Sequence, residues 1–390
     1  MEKKKEISYE EANLGRFNNS TGSLCYMIAN MHVLLNCPKF IHLVIRGLYH
    51  DIIKRKAEDK SAENDSNWED NFKDNVIYEL HRCLGLAHQV TDNRTQMTPT
   101  SFRRIVSERD SMWGENRHQD AQEFLSFLLN KIIEELGEKV SFLPGGNKLI
   151  DLKPNISINN ALLRLTALST WQKYIKKEYS PMTRLFTGMT HSSLKCERCG
   201  HNSHSFEPFT TFPVEIPYNS SNPNEQFTLE QCLENMTKGE KLDQDNMVEC
   251  NMCGFKNRAT KKLTICKTPD ILIFQFKRFI KNMYGIASKK ITNKIEYPLR
   301  DLDLSNFLSS ASTEDSKYDL FGVINHKALL QEGNLSLGHY TALVKHISNS
   351  HWYLFNDSAK PQLLKRISDI KHKDAYLLFY IRKDSSINHN

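Results

Sequence analysis

Two short cysteine motifs constrain the fold of this chain more than any other feature of its sequence. Cys196 and Cys199 form one CxxC pair, Cys250 and Cys253 form a second, and a glycine directly follows each pair. The two-residue spacing lets both thiolates of a pair bind one ion, and the glycine permits the tight turn that this requires. Together the four cysteines predict a tetrahedral structural zinc site, with a strand pair or loop inserted between the two pairs.

Two other interpretations use the same spacing, namely a redox-active pair and two unrelated cysteine turns. A catalytic zinc is disfavoured, because four thiolate ligands leave no open position on the ion for substrate. Four further cysteines lie in apolar surroundings and are predicted to be core residues: Cys37, Cys83, Cys232 and Cys266.

Charge and hydropathy exclude several classes of protein. The N-terminal residues are charged and lack the apolar region of a secretory signal. In a chain without a secretory signal, nine cysteines indicate free thiols and metal ligation rather than disulfides. The same combination predicts a cytoplasmic and/or nuclear location. The absence of an apolar run of about 18 residues predicts no membrane span. The net charge of +6 is spread along the chain without a basic block interleaved with aromatic residues, so we expect no direct nucleic-acid binding.

The ninth cysteine, Cys25, follows the small and polar stretch 18–23 and begins a helix-permissive apolar run that continues to Leu35. A thiol at a helix N-terminus lies at the positive end of the backbone dipole, which lowers its pKa and favours the reactive thiolate. The turn before it can direct backbone N–H groups at an oxyanion. The sequence therefore makes Cys25 a candidate nucleophile, with a buried structural cysteine as the alternative.

Helical patterns dominate the first third of the chain. Residues 121–136 carry apolar side chains at helical spacing and predict an amphipathic helix of about five turns. Asp120 and Glu123 suit the positive end of that helix, so a role as helix-start residues alone is one interpretation of both. Residues 54–74 are highly charged and predict a solvated loop or loose helix.

The second half of the chain has a different character. Residues 150–180 are mixed, and after Phe186 strand-like runs rich in Val, Ile, Tyr, Phe and Thr alternate with turns. Helices first and strands afterwards predict an α+β fold with an antiparallel sheet.

A predicted hairpin near the C-terminus carries a second chemical signal. Residues 338–345 alternate as a strand does, 346–351 form a polar turn, and 352–357 form the return strand. A side-chain oxygen at the end of the second strand can then reach His339 and fix its tautomer, as in a Cys–His–Asn/Asp arrangement. Alternation does not decide between Asn356 and Asp357, because they face opposite ways and the register is unknown.

Several motifs, in this order, resemble the ubiquitin-specific proteases, which are papain-like cysteine peptidases that remove ubiquitin. The resemblance spans nearly the whole chain, from about residue 13 to residue 382. Its motifs are Gly22-Ser23-Leu24-Cys25-Tyr26-Met27, Gln119-Asp120-Ala121-Gln122-Glu123-Phe124, the two CxxC pairs, Phe276-Lys277-Arg278-Phe279, Gly338-His339-Tyr340-Thr341-Ala342, Trp352-Tyr353-Leu354-Phe355-Asn356-Asp357 and Ala375-Tyr376-Leu377-Leu378-Phe379-Tyr380.

The resemblance implies one catalytic domain over residues 13–382 with a thumb, palm and fingers architecture. The thumb would be the helical part, about 13–140, and the fingers would be the strands with the zinc site, about 188–265. The palm would be the remainder, and residues 1–12 and 383–390 would be flexible termini. Ubiquitin would rest on the fingers, with its C-terminal tail between thumb and palm.

The family pattern also assigns catalytic roles. Cys25, His339 and Asn356 fall on its catalytic positions, and Asp357 would assist. The family has an oxyanion-stabilising asparagine five residues before the cysteine, where this chain has Ser20, so Ser20 or the neighbouring Asn19 would supply that donor.

Other positions relate to substrate or depart from the family pattern. Asp120 would hold the substrate tail, because its carboxylate can pair with the arginines of that tail. His32 stands at a position where the family has glutamine. The other substrate-binding candidates are Gln119, Glu123 and Tyr340.

The resemblance therefore implies a deubiquitinase that cleaves bonds after the C-terminal glycine of ubiquitin on ubiquitinated proteins. Its cofactor would be structural zinc, and the changed oxyanion position is compatible with an activating protein partner. The alternatives are a weak or inactive ubiquitin-binding scaffold and a protease for a ubiquitin-like modifier.

Overall fold

A computed structural model of the chain describes residues 15–45, 48–60, 73–89, 96–140, 158–177, 179–218, 222, 224–281, 287–313, 316–328 and 338–383. The predicted flexible termini lie outside the described residues, except Lys383. Within the described part, no helix is both long and apolar enough to cross a membrane.

The helices have the following bounds: α1 Cys25–Leu34, α2 Pro38–Ile45, α3 Leu48–Lys60, α4 Val76–Gln89, α5 Thr100–Arg109, α6 Ala121–Leu136, α7 Ile158–Lys177, α8 Pro181–Phe186, α9 Leu229–Lys238 and α10 Ile367–Ile370.

The strands before residue 300 are β1 Arg16–Phe17, β2 Gln96–Met97, β3 Gly188–Cys196, β4 Asn202–Phe209, β5 Phe212–Val214, β6 Phe227–Thr228, β7 Glu240–Leu242, β8 Val248–Cys250, β9 Phe255–Asn257, β10 Ala259–Lys267, β11 Ile271–Phe276, β12 Phe279–Lys281, β13 Ala287–Lys290 and β14 Ile295–Glu296. The later strands are β15 Leu302–Asp303, β16 Lys317–Ala328, β17 Gly338–Lys345, β18 Trp352–Phe355, β19 Gln362–Leu363 and β20 Ala375–Arg382.

The chain divides into two compact units, each described by itself. The first unit comprises residues 1–136, 279–290 and 321–378, and the second comprises 137–278, 291–320 and 379–390. Helices come first and strands follow, so the predicted α+β class is confirmed.

Helix α1 is the centre of the first unit. All ten of its side chains are buried. The helix carries no Asp, Glu, Lys or Arg, so this burial leaves none of those charged side chains in the core. Its one amide, Asn30, donates to the carbonyl oxygens of Tyr26 at 2.8 Å and Ala121 at 2.9 Å, which joins α1 to the start of α6. The predicted amphipathic helix is α6, and its apolar stripe is buried. The strand order in this unit is β19-β18-β17-β16-β20.

The second unit contains a four-stranded sheet of order β4-β3-β10-β7, and β11 pairs there with β5 in parallel. Helix α7 packs on β4 through Ala167, whose buried neighbours include Met189 and Phe206, and Trp171 is partly buried there. The expectation of mixed structure over 150–180 is therefore wrong for 158–177, which form one helix. Residues 141–157 lie outside the described part.

The charged stretch beginning at residue 54 is helical as far as the structure describes it, which is one of the two predicted alternatives. Helix α3 continues through Lys60, and residues 61–72 lie outside the described residues. Local helix propensity of Lys, Glu and Ala explains this extension, since these are strong helix formers.

Candidate active site

Cys25 is the first residue of α1, directly after a tight turn. Gly22 closes the turn by donating its N–H to the carbonyl oxygen of Asn19 at 3.2 Å, and its φ of +73° suits glycine. The N–H groups of Met27 and Ile28 bond to the carbonyl oxygen of Leu24, which begins the helix. The Cys25 side chain is buried there, 1% exposed.

The electrostatic surroundings of Cys25 correct one expectation. Burial is the largest effect and raises the pKa of the Cys25 thiol, and the carboxylate of Asp357 raises this pKa further. Backbone N–H groups of Tyr340, Tyr26 and Cys25 act in the opposite direction. The predicted lowering of the thiol pKa is therefore wrong as a net effect, because burial outweighs the helix N-terminus.

The predicted hairpin is formed by β17 and β18. Ala342 pairs with Phe355, and the N–H of His346 donates to the carbonyl oxygen of His351 at 2.8 Å to close the turn. This register brings Nε2 of His339 to 2.6 Å from Oδ1 of Asn356. The structure thus resolves the alternative left open by the sequence, since Asn356 makes the hydrogen bond to the imidazole.

Asp357 faces the other ring nitrogen and the turn before Cys25. Its Oδ2 lies 4.0 Å from Nδ1 of His339, and it accepts a hydrogen bond from Nδ2 of Asn19 at 3.0 Å. Asp357 has a φ of +46°, a left-handed conformation that Asp and Asn tolerate better than most residues.

Of the two oxyanion candidates, the structure brings only Asn19 to this cluster. Its Oδ1 accepts from the N–H of Leu24 at 3.0 Å, so the amide is held at both ends. Ser20 lies in the turn with its side chain exposed.

Asp120 has two distinct sets of partners. Its Oδ1 accepts from the N–H groups of Gln122 at 2.7 Å and Glu123 at 3.1 Å, which caps α6. Its Oδ2 accepts from the hydroxyl groups of Tyr376 at 2.8 Å and Tyr340 at 3.4 Å. Asp120 is therefore a helix-start residue and also the centre of a tyrosine–carboxylate network.

Tyr340 connects this network to Cys25, because its backbone N–H donates to the Cys25 sulfur and its hydroxyl group donates to the Asp120 carboxylate. Tyr376 is a site residue that sequence reasoning missed. It lies in the uniformly buried start of β20, where alternation gives no sign of a polar role.

Gln119 and Glu123 are placed differently from Asp120. Gln119 donates its side-chain N–H to the carbonyl oxygen of Met112 at 3.4 Å. The Glu123 side chain is exposed, and its backbone N–H is the group that contacts Asp120.

The four cysteines of the CxxC pairs come together in the second unit. Their sulfur atoms all lie within 4.8 Å of one another, and the Sγ atoms of Cys199 and Cys250 are 3.6 Å apart. A tetrahedral zinc with Zn–S bonds of about 2.3 Å sets sulfur–sulfur distances of about 3.8 Å, so the cluster can hold such an ion. Both following glycines have a positive φ, +72° for Gly200 and +76° for Gly254, a conformation that glycine adopts without strain.

Within the described residues, this is the one group of three or more His, Cys, Asp or Glu side chains that can share an ion. The segment between the pairs contains helix α9 as well as strands, which is more than the strand pair or loop expected. The four predicted core cysteines are all buried.

A buried cysteine at a helix N-terminus, a histidine–asparagine pair on a hairpin and an amide at the preceding turn define a papain-like cysteine hydrolase site. Residues 17–380 match the family described as ubiquitin carboxyl-terminal hydrolase, so the chain belongs to that family. It is a cysteine-type deubiquitinase.

Curated relatives agree with this assignment. Ubiquitin carboxyl-terminal hydrolase 2 of Gallus gallus is 34% identical over 285 residues, which cover 73% of this chain and 74% of the relative. The Homo sapiens protein of that name is 33% identical over 360 residues, covering 92% of this chain and 54% of the relative. The chain thus spans about half the length of the human relative.

Solved structures share the fold. The SAGA Ubp8/Sgf11/Sus1/Sgf73 DUB module bound to ubiquitin aldehyde contains a chain with a TM-score of 0.65 and 23% identity, covering 96% of this chain and 71% of that one. A structure of the yeast SAGA DUB module gives a TM-score of 0.66 with 25% identity, covering 96% and 70%.

Proposed function

We propose that this chain hydrolyses isopeptide and peptide bonds after the C-terminal glycine of ubiquitin, with Cys25 as nucleophile, His339 as base and Asn356 as the residue that orients His339. The family assignment supports the reaction. The observation that carries the residue roles is the 2.6 Å hydrogen bond between His339 and Asn356. The residue after His339, Tyr340, donates its backbone N–H to the Cys25 sulfur.

The hydrogen bond to Asn356 defines the tautomer of His339. A carbonyl oxygen accepts, so Nε2 carries the proton and Nδ1 has the free lone pair. Nδ1 therefore takes the proton of the Cys25 thiol as the sulfur attacks the scissile carbonyl carbon. Because burial raises the thiol pKa, we expect the resting cysteine to be neutral and this proton transfer to accompany attack.

The rest of the cycle returns the proton. The tetrahedral intermediate collapses, the C–N bond breaks, and the leaving amine takes the proton from His339. Water then gives a proton to His339 and attacks the thioester, which releases the ubiquitin carboxylate and restores the Cys25 thiol.

We assign the oxyanion donors to the backbone N–H of Cys25 and the side-chain amide of Asn19. One N–H of that amide is used by Asp357, and the second is available for the oxyanion. In this proposal Asp357 positions Asn19, and Ser20 has no part in catalysis.

Substrate binding is assigned to Asp120, whose carboxylate would pair with arginine in the ubiquitin tail. The hydroxyl groups of Tyr340 and Tyr376 hold the carboxylate in place. Gln119 and Glu123 remain further candidates for this surface.

We assign structural zinc to the four-cysteine cluster, because a closed tetrahedral thiolate set is the ligand set that zinc prefers in structural sites. We also propose a cytoplasmic and/or nuclear location, supported by nine cysteines of which none forms a disulfide. The related SAGA module contains Sgf11, Sus1 and Sgf73 together with Ubp8. By analogy, an activating protein partner is part of the proposal for this chain.

The test is hydrolysis of ubiquitin with a C-terminal fluorogenic amide, by zinc-loaded protein with and without cell extract. We expect release of the fluorophore by the wild type and none by Cys25→Ala. Cys83→Ala is the matched control, because Cys83 is equally buried but lies outside the site. Equal rates for Cys25→Ala and wild type would contradict the proposal.

A further inference from the structure

His32 lies on the same helix as Cys25, two turns further along, and is buried at 3% exposure. Its ring is stacked on the ring of Phe355, with centroids 4.1 Å apart and an interplanar angle of 26°. The ring of Phe17 also packs against His32, with centroids 5.2 Å apart and a tilted angle of 59°. His32 therefore contacts two aromatic side chains from separate segments.

Both segments lead directly into the site. Phe17 is two residues before Asn19, and Phe355 is the residue before Asn356. The same two segments are also joined by the hydrogen bond from Asn19 to Asp357. The His32 ring, on the helix of the nucleophile, thus contacts both the segment of the proposed oxyanion amide and the strand of the histidine-orienting amide.

The hydrogen bonds of His32 do not account for its burial. Its Nε2 has no hydrogen-bond partner among the described residues, and burial lowers the pKa of His32 to about 3, so the ring is neutral at neutral pH. The ring contacts shown for His32 are the stacked one with Phe355 and the tilted one with Phe17.

We propose that His32 is a positioning residue for the reaction, whose ring sets the positions of Asn19 and Asn356 relative to Cys25 through Phe17 and Phe355. This inference rests on the proposed function of those three residues. The competing explanation is that His32 only fills the core behind α1. In that case its replacement lowers stability without a specific effect on the chemical step.

Two replacements of similar volume separate these explanations. His32→Phe keeps an aromatic face for both neighbours, whereas His32→Leu removes it. With fluorogenic ubiquitin we expect His32→Leu to lower kcat by about tenfold or more, the scale of about 1.4 kcal/mol in transition-state energy, with KM within about twofold of wild type. We expect His32→Phe to retain kcat within about threefold of wild type.

The controls keep stability and function apart. Val33→Ala makes a cavity at the adjacent buried position, so it lowers stability without touching the ring stack. All variants are assayed at a temperature where thermal unfolding shows them folded. If His32→Leu does not fold, Phe355→Leu removes the same stack from the other side and should give the same loss of kcat with unchanged KM.

Three results have distinct meanings. A wild type that does not cleave the substrate, alone or with cell extract, overturns the proposed function and this inference with it. An active wild type with an undiminished kcat in His32→Leu, or in Phe355→Leu if that is the variant that folds, overturns the inference alone. A loss of kcat as large in His32→Phe or Val33→Ala as in His32→Leu also overturns it, because the aromatic contact would then not be the cause.

Discussion

The side-chain amide of Asn19 donates to the carboxylate of Asp357 across 3.0 Å, although the two residues are 338 positions apart in the chain. The contact joins the turn before Cys25 to the loop after β18. It places an asparagine amide at the site from six residues before the cysteine, one position earlier than the family pattern. The unusual sequence before Cys25 is therefore compatible with an oxyanion donor.

This relationship predicts different outcomes for neighbouring substitutions. Asn19→Ala removes the proposed donor, and loss of one oxyanion donor lowers kcat by about 10²–10³. Ser20→Ala, at an exposed turn position, should leave kcat within about twofold of wild type, as expected for a surface change. Steady-state kinetics with fluorogenic ubiquitin measures both. The reverse order of effects would show that Ser20 is the donor.

The two roles of Asp120 can be separated in the same assay. Asp120→Asn keeps a good helix cap and loses the charge, so we expect KM to rise by about tenfold or more with little change in the melting temperature. Asp120→Ala should raise KM similarly and also lower stability by about 1 kcal/mol, since the cap of α6 is lost. An unchanged KM in both variants would argue against a role in binding the ubiquitin tail.

Removal of the proposed structural zinc should destabilise the unit that holds the cysteine cluster. Cys199→Ser takes away one of four ligands, so we expect less than one zinc per chain and a lower melting temperature. Cys266→Ala is the control, because Cys266 is buried away from the cluster and should retain full zinc content. Elemental analysis and thermal unfolding report both quantities. A full zinc content in Cys199→Ser would remove this residue from the ligand set.

The burial of His32 predicts a pH dependence of stability. Its pKa falls from 6.5 to about 3 on folding, so between these values the unfolded chain binds the extra proton. The contribution of His32 to the free energy of unfolding is therefore complete above pH 6.5 and is lost as the pH falls toward 3.

Urea unfolding at pH 7 and pH 4.5 tests this sign. His32→Phe lacks the titrating group, so its free energy of unfolding should fall less over this range than that of the wild type. His191, whose pKa is lowered to about 4 by burial, titrates in the same range in both proteins and does not affect the comparison. Equal losses in the two proteins would contradict the prediction.

Short-range patterns in the sequence predicted much of the molecule. Apolar spacing predicted α6, the alternation around His339 predicted the hairpin, and the glycines after the CxxC pairs predicted tight turns. In each case the evidence lies within a few residues, because helix and strand periodicity and turn conformation are local properties.

Long-range placement could not be predicted in the same way. Whether Asn356 or Asp357 meets His339 depends on strand register, and the proposal of Asn19 over Ser20 as oxyanion donor rests on a partner on a distant loop. The net pKa of Cys25 depends on burial, which the position of Cys25 at a helix start does not reveal. Tyr376 was missed for a similar reason, since its hydroxyl group meets Asp120 only in the folded chain.

The most direct test of the account is covalent labelling by ubiquitin that carries a C-terminal electrophile, with zinc-loaded protein in the presence and absence of cell extract. The account predicts one ubiquitin per chain, mapped by peptide mass spectrometry to Cys25 and to none of the other eight cysteines. It also predicts no labelling of Cys25→Ala and slow labelling of an Asn356→Ala variant. Absence of labelling of folded wild-type protein, or labelling at another cysteine, would contradict the account.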